Sequence, residues 1–277
     1  MTAPTSSQLA RLSMNQATVP RWTVPELIDG CARAGYGGVG LWRHRLEDLD
    51  LTSVAMKTSR HGLKITSLCR AGWFLTPNGS PERTRAEDNR RAVDEAALLG
   101  AATLVVVCGP ASDRNLAGAR RAVTESIAEL SVYAGEHGVT LAVEPMHPVY
   151  CGDRSVIVTL AQALDVLDEV AAANVGLVLD SYHLWWDPQL APGVAQASGR
   201  ILAAQLADWL APPPDPLNGR GMLGDGNIDL RAFCRQVDDT GFSGLYEVEI
   251  FNPDVWRADP METATIAAQR YLAYAAP

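Results

Sequence analysis

The chain is short of positive charge. Its 277 residues carry 23 Lys and Arg against 32 Asp and Glu, for a net charge of -9 and a pI near 5.0. An acidic chain has no long-range attraction for phosphate backbones, so nucleic acid is not an expected partner. Cysteine is scarce as well. Cys31, Cys69, Cys108, Cys151 and Cys234 are odd in number and widely spaced, with no CxxC pair. That pattern argues against a disulfide framework or a zinc knuckle and fits reduced thiols in a cytoplasm. No stretch is long and apolar enough to span a bilayer, so no membrane partner is expected. Residues 1–10 are small and polar and lack the apolar centre of a signal peptide. No GxGxxG follows the first expected strand, which leaves a Rossmann sheet without support. No linker, charge run or low-complexity segment divides the chain.

What is present is ordinary globular composition, 47% hydrophobic and 20% charged. Apolar runs predict strands at 11–16, 38–42, 63–69, 103–108, 139–144, 175–180, 200–206 and 244–249. Helices are expected after Thr23, up to 59, and at 82–99, 116–136, 156–172, 229–240 and 261–275. Thr23 with Pro25 and Glu26 has the form of a capping box. The loop 70–81 is rich in Gly, Pro and Asn, and a long Pro-rich loop leads to Gly226. Gly35 to Gly38 and Gly241 to Gly244 echo one another at helix-to-strand joints, where glycine caps are expected. His61 and His137 precede glycines at two other joints and read as structural residues at helix ends. Strand-helix units at roughly 35-residue spacing predict an α/β fold, a (β/α)8 TIM barrel, as one domain over 1–277.

The polar ends of the strands carry the chemistry. The run 175–180 is apolar until it stops at Asp180, and His183 comes three residues later. An acid where a buried parallel strand meets its loop lies where barrel active sites are built. Glu144 and Glu249 end two other runs in the same way, and Gln205 lies near the end of a third. Acids in apolar strands are rarely buried unless paired or bound to metal. Few Lys or Arg occupy comparable positions, which favours a metal site over a set of salt bridges. Glu247 shares a strand face with Glu249, and periodicity does not decide between them. Arg220, in a glycine-flanked loop, would close over a carboxylate, phosphate or hydroxyl pair, or else be a solvated turn residue. His147, Trp42, Trp73 and Trp185 fall in or near βα segments. Tryptophans there suit a sugar face, and equally loop packing. Asp153 and Arg154 read as a local ion pair of little worth.

At these residues the chain resembles the sugar phosphate isomerase/epimerase superfamily of xylose isomerase-like TIM barrels. The runs at 143–145, 179–183, 224–229 and 244–253 carry the resemblance, which covers nearly the whole chain. It implies a metal bound by glutamate, aspartate, histidine and glutamate. By motif, Glu144 and Asp180 take the first two places. Glu249 takes the last, because the Glu-Ile-Phe-Asn-Pro run begins there. The histidine after Asp-x-x, His183 here, is implied to touch a substrate oxygen. The third ligand position, usually histidine, holds Gln205, as in the 3-dehydroshikimate dehydratase branch. Another branch cleaves C-glycosides of oxidised sugars. The superfamily's DNA-repair endonucleases resemble multi-zinc sites rich in histidine, which five histidines and a net charge of -9 argue against here.

The expected function is a divalent-metal-dependent isomerase or epimerase of a sugar or cyclitol, with proton transfer next to a carbonyl between Glu144 and Glu249. The alternatives are a lyase on the same barrel and a barrel that binds sugar without turning it over. Three carboxylates and one amide form an all-oxygen shell. That shell gives Mn²⁺ as the first expectation, with Mg²⁺ or Co²⁺ behind it. Barrel relatives are often dimers or tetramers, which makes a homo-oligomer a fold-level expectation.

Overall fold

The structure, a computed structural model, describes residues 9–75, 83–111 and 114–276. Part of the expected loop 70–81, the start of the helix expected at 82 and most of the segment 1–10 lie outside the described residues. Eight strands close into a parallel barrel in chain order: β1 (Leu12–Asn15), β2 (Gly38–Trp42), β3 (Lys64–Gly72), β4 (Leu104–Val107), β5 (Leu141–Val143), β6 (Val175–Asp180), β7 (Ile201–Leu206) and β8 (Tyr246–Val248). Closure is made where Leu12, Ser13 and Met14 pair with Tyr246, Glu247 and Val248. The fold is therefore the (β/α)8 barrel that the spacing predicts. β4 and β6 are buried at every residue, as their unbroken apolar runs require of strands covered on both faces.

Helices surround the barrel: α1 (Val24–Ala34), α2 (Leu51–Arg60), α3 (Arg83–Leu99), α4 (Leu116–Glu136), α5 (Leu160–Val170), α6 (Ser181–Leu184), α7 (Leu190–Gln196), α8 (Leu230–Asp239), α9 (Pro253–Arg257) and α10 (Pro260–Tyr274). The capping box of α1 forms as expected. The Thr23 hydroxyl accepts the Glu26 N–H, and the Glu26 carboxylate accepts the Thr23 N–H at 2.8 Å. α5 starts later than the expected 156. Thr159 is its cap, and the Gln162 side chain accepts the Val158 N–H at 2.9 Å. The β-branched residues before it, Val156, Ile157 and Val158, are buried outside the helix. No helix is expected between 180 and 200, yet α6 and α7 lie there. They span four and seven residues, too few to show a helical period in the sequence.

The Pro-rich loop after β7 contains an antiparallel pair, Asp208–Trp209 with Arg220–Gly221. Asp208 fastens the turn at 224–228. Its carboxylate accepts the N–H groups of Gly224 and Gly226 at 2.9 Å and of Ile228 at 3.0 Å. A Cβ on Gly226 would lie 2.3 Å from the Trp209 carbonyl oxygen, so this turn needs glycine. The pairing turns Arg220 inward. Most apolar packing lies between barrel and helices, and a second cluster around Val105, Ala142, Val178 and Ala203 fills the barrel interior. All the cysteines are free. Among the described residues, no helix is long and apolar enough to cross a membrane.

Candidate active site

Glu144 comes directly after β5, Asp180 ends β6, and Glu249 comes directly after β8. Backbone bonds hold them at the strand ends. The Glu144 N–H donates to the Val106 carbonyl at 3.1 Å, and the Glu249 N–H to the Leu206 carbonyl at 3.0 Å. All three acids are buried, Asp180 completely. In the barrel register Gln205 pairs with Asp180 on one side and Glu247 on the other.

Glu247 and Glu249 part company here. Glu247 is sealed inside the barrel. It accepts from Asn15 Nδ2 at 2.7 Å, from Ser67 Oγ at 2.9 Å, from Gln205 Nε2 at 3.2 Å, and from the Thr66 hydroxyl. Glu249 lies one residue beyond its strand and faces the cavity. With Gln205 Nε2 held by Glu247, the other amide atom, Oε1, is buried with no hydrogen-bond partner among the described residues. It is a free acceptor beside the acids.

Arg220 departs from the expected loop-closing arm, because it is built into the acid cluster. Its side chain is 5% exposed. Nη1 donates to Asp180 Oδ2 at 2.9 Å, to Glu249 Oε2 at 3.1 Å and to the Glu249 carbonyl at 3.0 Å. Nη2 lies 3.1 Å from His183 Nε2. A guanidinium only donates, so that histidine nitrogen accepts. The salt-bridge reading of the acids thus holds in part. Asp180 and Glu249 share one guanidinium, and Glu144 Oε1 lies 3.6 Å from His183 Nε2.

The electrostatics arise from burial and crowding. Burial first, and then the neighbouring Asp180, push the Glu144 carboxyl up to about 8. Burial, Glu144 and Asp180 hold Glu249 well above the usual carboxylate range, against the pull of Arg220. Burial also raises Asp180. Burial and the Arg220 charge hold His183 far below the ordinary histidine value, so it is neutral. Burial opposes the charge on Arg220, but Asp180, Glu249 and Glu144 outweigh it and raise its pKa.

A cavity of about 340 Å³ opens above this cluster. Glu144, His183, Arg220 and Glu249 form its floor, and Trp42 and Trp73 stand in its wall. Its size suits a small ligand. Two expected substrate contacts are elsewhere. His147 stacks on Trp209 with centroids 4.9 Å apart and caps the turn at Pro148–Tyr150. Trp185 packs against the same Trp209 at 5.5 Å. Both are claimed by the aromatic packing around the Asp208 turn. The cavity also has lining residues that sequence reasoning misses. Arg70 lies on a strand that runs three residues past its expected end. Trp256 lies in α9, the short helix capped by Asn252, and Arg154 reads in the sequence only as a local ion pair. The Pro at the start of α9 is the available signal for Trp256.

Glu144, Asp180 and His183 have ligand atoms within 4.8 Å of one another, a geometry that could hold a metal ion. The motif-based set shares Glu144 and Asp180 and adds Gln205 and Glu249. Carboxylate oxygens and a free amide oxygen are a donor set that fits a hard divalent ion.

A closed parallel barrel with buried acids at its carboxyl-terminal mouth defines the class, that of barrels whose strand ends build a polar site. The chain belongs to the xylose isomerase-like TIM barrel family, whose model matches residues 28–274. It is 25% identical over 270 residues to an inosose isomerase of Bacillus velezensis, covering 94% of this chain and 95% of that one. It is 29% identical over 262 residues to a 3-dehydroshikimate dehydratase of Pseudomonas aeruginosa, covering 91% of this chain but 40% of that longer protein. A crystal structure of a Sinorhizobium meliloti protein superposes with a TM-score of 0.92 at 41% identity, covering 96% of this chain and 99% of that one. The two curated relatives are enzymes by name, an isomerase and a dehydratase.

Proposed function

We propose that this chain is a divalent-metal-dependent isomerase or epimerase of a sugar or cyclitol, working by proton transfer next to a carbonyl. The observation that carries the reading is the mouth of the barrel. Three buried acids cluster around a single guanidinium, two of them bonded to it, at a cavity sized for a small ligand. Glu144, Asp180, Gln205 and Glu249 would hold the ion. When bound, it supplies Lewis acidity to a carbonyl and an adjacent hydroxyl oxygen. The all-oxygen donor set favours Mn²⁺, with Mg²⁺ or Co²⁺ next.

The chain's own groups divide the remaining work. Glu144, buried at the cavity beside Asp180, is placed to act as the base. Glu249 serves the opposite face of the reacting carbon and returns a proton there. Arg220 fixes one Glu249 oxygen, which orients the other. His183, neutral and bonded to Arg220, positions a substrate hydroxyl. Trp42 and Trp73 offer ring faces to the C–H side of the substrate. The setting is cytoplasmic, without nucleic acid or membrane partners.

A lyase is the second reading. It is favoured by the 29% identity to a dehydratase and by the glutamine at position 205. It shares the first proton transfer. The electron pair then expels a β-hydroxyl, which leaves as water with a proton from the returning acid.

The test uses chelator-stripped protein reloaded with Mn²⁺, in deuterated water, with a panel of ketoses, inososes and 3-oxo-glycosides. Deuterium next to the carbonyl with return of an epimer or isomer supports the first reading, and loss of water supports the second. Glu144→Gln and Glu249→Gln should each abolish exchange while the fold is kept. If no compound exchanges, or exchange persists undiminished in both variants, the proposal fails.

A further inference from the structure

Three arginines line the cavity: Arg70, Arg154 and Arg220. Arg220 is committed to Asp180, Glu249 and His183. The other two are not. Arg70 lies in β3 and lays its guanidinium over the Trp73 ring, 3.8 Å from the centroid. Among the described residues its side chain has no hydrogen bond and no ion pair. Asp88, whose charge reaches Arg70, is held by Arg43 at 2.9 Å, and Arg43 also holds Glu95 at 2.5 Å. Arg43 also donates to the Arg70 carbonyl at 3.3 Å and so fixes its backbone.

Arg154 is positioned as firmly. Its N–H donates to the Tyr150 carbonyl at 2.8 Å, and its own carbonyl accepts the Gly109 N–H at 2.9 Å. Its Nε is buried without a hydrogen-bond partner among the described residues. The neighbouring Asp153 carboxylate stands 3.6 Å away and is 61% exposed, which makes the pair weak. The two guanidiniums feel each other. Burial first, and then the charges of Arg154 and Arg43, lower the Arg70 pKa against the opposing Cys69 and Asp88. Partly buried like charges that no carboxylate hydrogen-bonds are unfavourable, and an anion between them relieves both the burial and the repulsion. Guanidinium forks match the oxygens of carboxylate and phosphate. Stacking on Trp73 keeps the Arg70 fork in one plane.

We propose that Arg70 and Arg154 form an oxyanion subsite, so that the substrate is a polyhydroxylated carbonyl compound carrying a carboxylate or a phosphate. This deepens the reading above, because it names the substrate class for the same cavity. A neutral polyol offers oxygens to the pair but no charge. The cavity is bipolar, with surplus acid at the Glu144 end and surplus base at the Arg70 end, inside a chain of net charge -9.

The experiment is calorimetric binding of three non-reacting probes to the intact protein: glucitol, gluconate and glucitol 6-phosphate. At least one anion should bind about tenfold or more tightly than glucitol, the size expected of charge-assisted bonds. Preference for gluconate alone assigns a carboxylate, and preference for the phosphate alone assigns a phosphate. R70Q/R154Q should bring the anions down to the glucitol level. R70K/R154K should retain part of the preference, which separates lost charge from lost fold. Equal binding of all three probes, no binding of either anion, or a preference that survives R70Q/R154Q would overturn the proposal. The readout is binding without turnover. A protein that prefers anions yet exchanges no proton loses the proposed reaction and keeps this subsite.

Discussion

Arg220 bonds Asp180 and Glu249 from 40 and 29 residues away in the chain. That separation explains why the acids read as unpaired in the sequence. Their partner lies in a loop, and only the pairing of Arg220–Gly221 with Asp208–Trp209 turns it inward. The same contact changes what its removal should do. Arg220→Met leaves the buried Asp180 and Glu249 without their cation. In metal-free protein it should destabilise the fold by about 3–5 kcal/mol, as loss of one partner of a buried pair does. With Mn²⁺ bound the loss should be clearly smaller, because the ion replaces the missing charge. Urea unfolding with and without Mn²⁺ measures this. An equal loss under both conditions would show that the ion does not bind among these acids.

Among the elements, β8 and β2 together decide which glutamate faces the cavity. Glu247 lies within β8 and points into the barrel at Asn15, Thr66 and Ser67, while Glu249 is beyond the strand end. Periodicity puts both on one face and goes no further. What separates them is depth along the barrel, which depends on cross-strand neighbours. Gly40 in β2 makes the inner position possible, since a Cβ there would lie 2.4 Å from Glu247 Oε2. Gly40→Ala should cost about 1–3 kcal/mol by overpacking. It should also weaken Mn²⁺ binding, because Glu247 orients the Gln205 amide. Denaturation midpoints and ion affinity check the two effects, and unchanged Mn²⁺ affinity would mean that Gln205 is not a ligand. β2 and β6 match their expected bounds because apolar runs there end at sharp polar boundaries. α6 and α7 are illegible in the sequence because four and seven residues are too few to show a helical period, and the full length of β3 because Arg70 interrupts its apolar run.

Across the whole molecule, a parallel barrel gathers strand ends into one mouth, so residues spread from Trp42 to Trp256 meet around a single cavity. The acids at that mouth are legible because each closes an apolar strand. The arginines are not, since their positions depend on loops and on a strand that runs long. The proposed function stands or falls on a divalent ion binding among Glu144, Asp180 and Glu249. Titration of Mn²⁺ into chelator-stripped protein, monitored by electron paramagnetic resonance, tests it most directly. One ion should bind per chain. Glu144 must lose its proton to become a ligand, and its pKa is raised to about 8. Affinity should therefore rise as pH goes from about 6 to about 8.5. Asp180→Asn should weaken binding about tenfold or more. No bound Mn²⁺ near pH 8, or an affinity indifferent both to pH and to Asp180→Asn, would contradict the account.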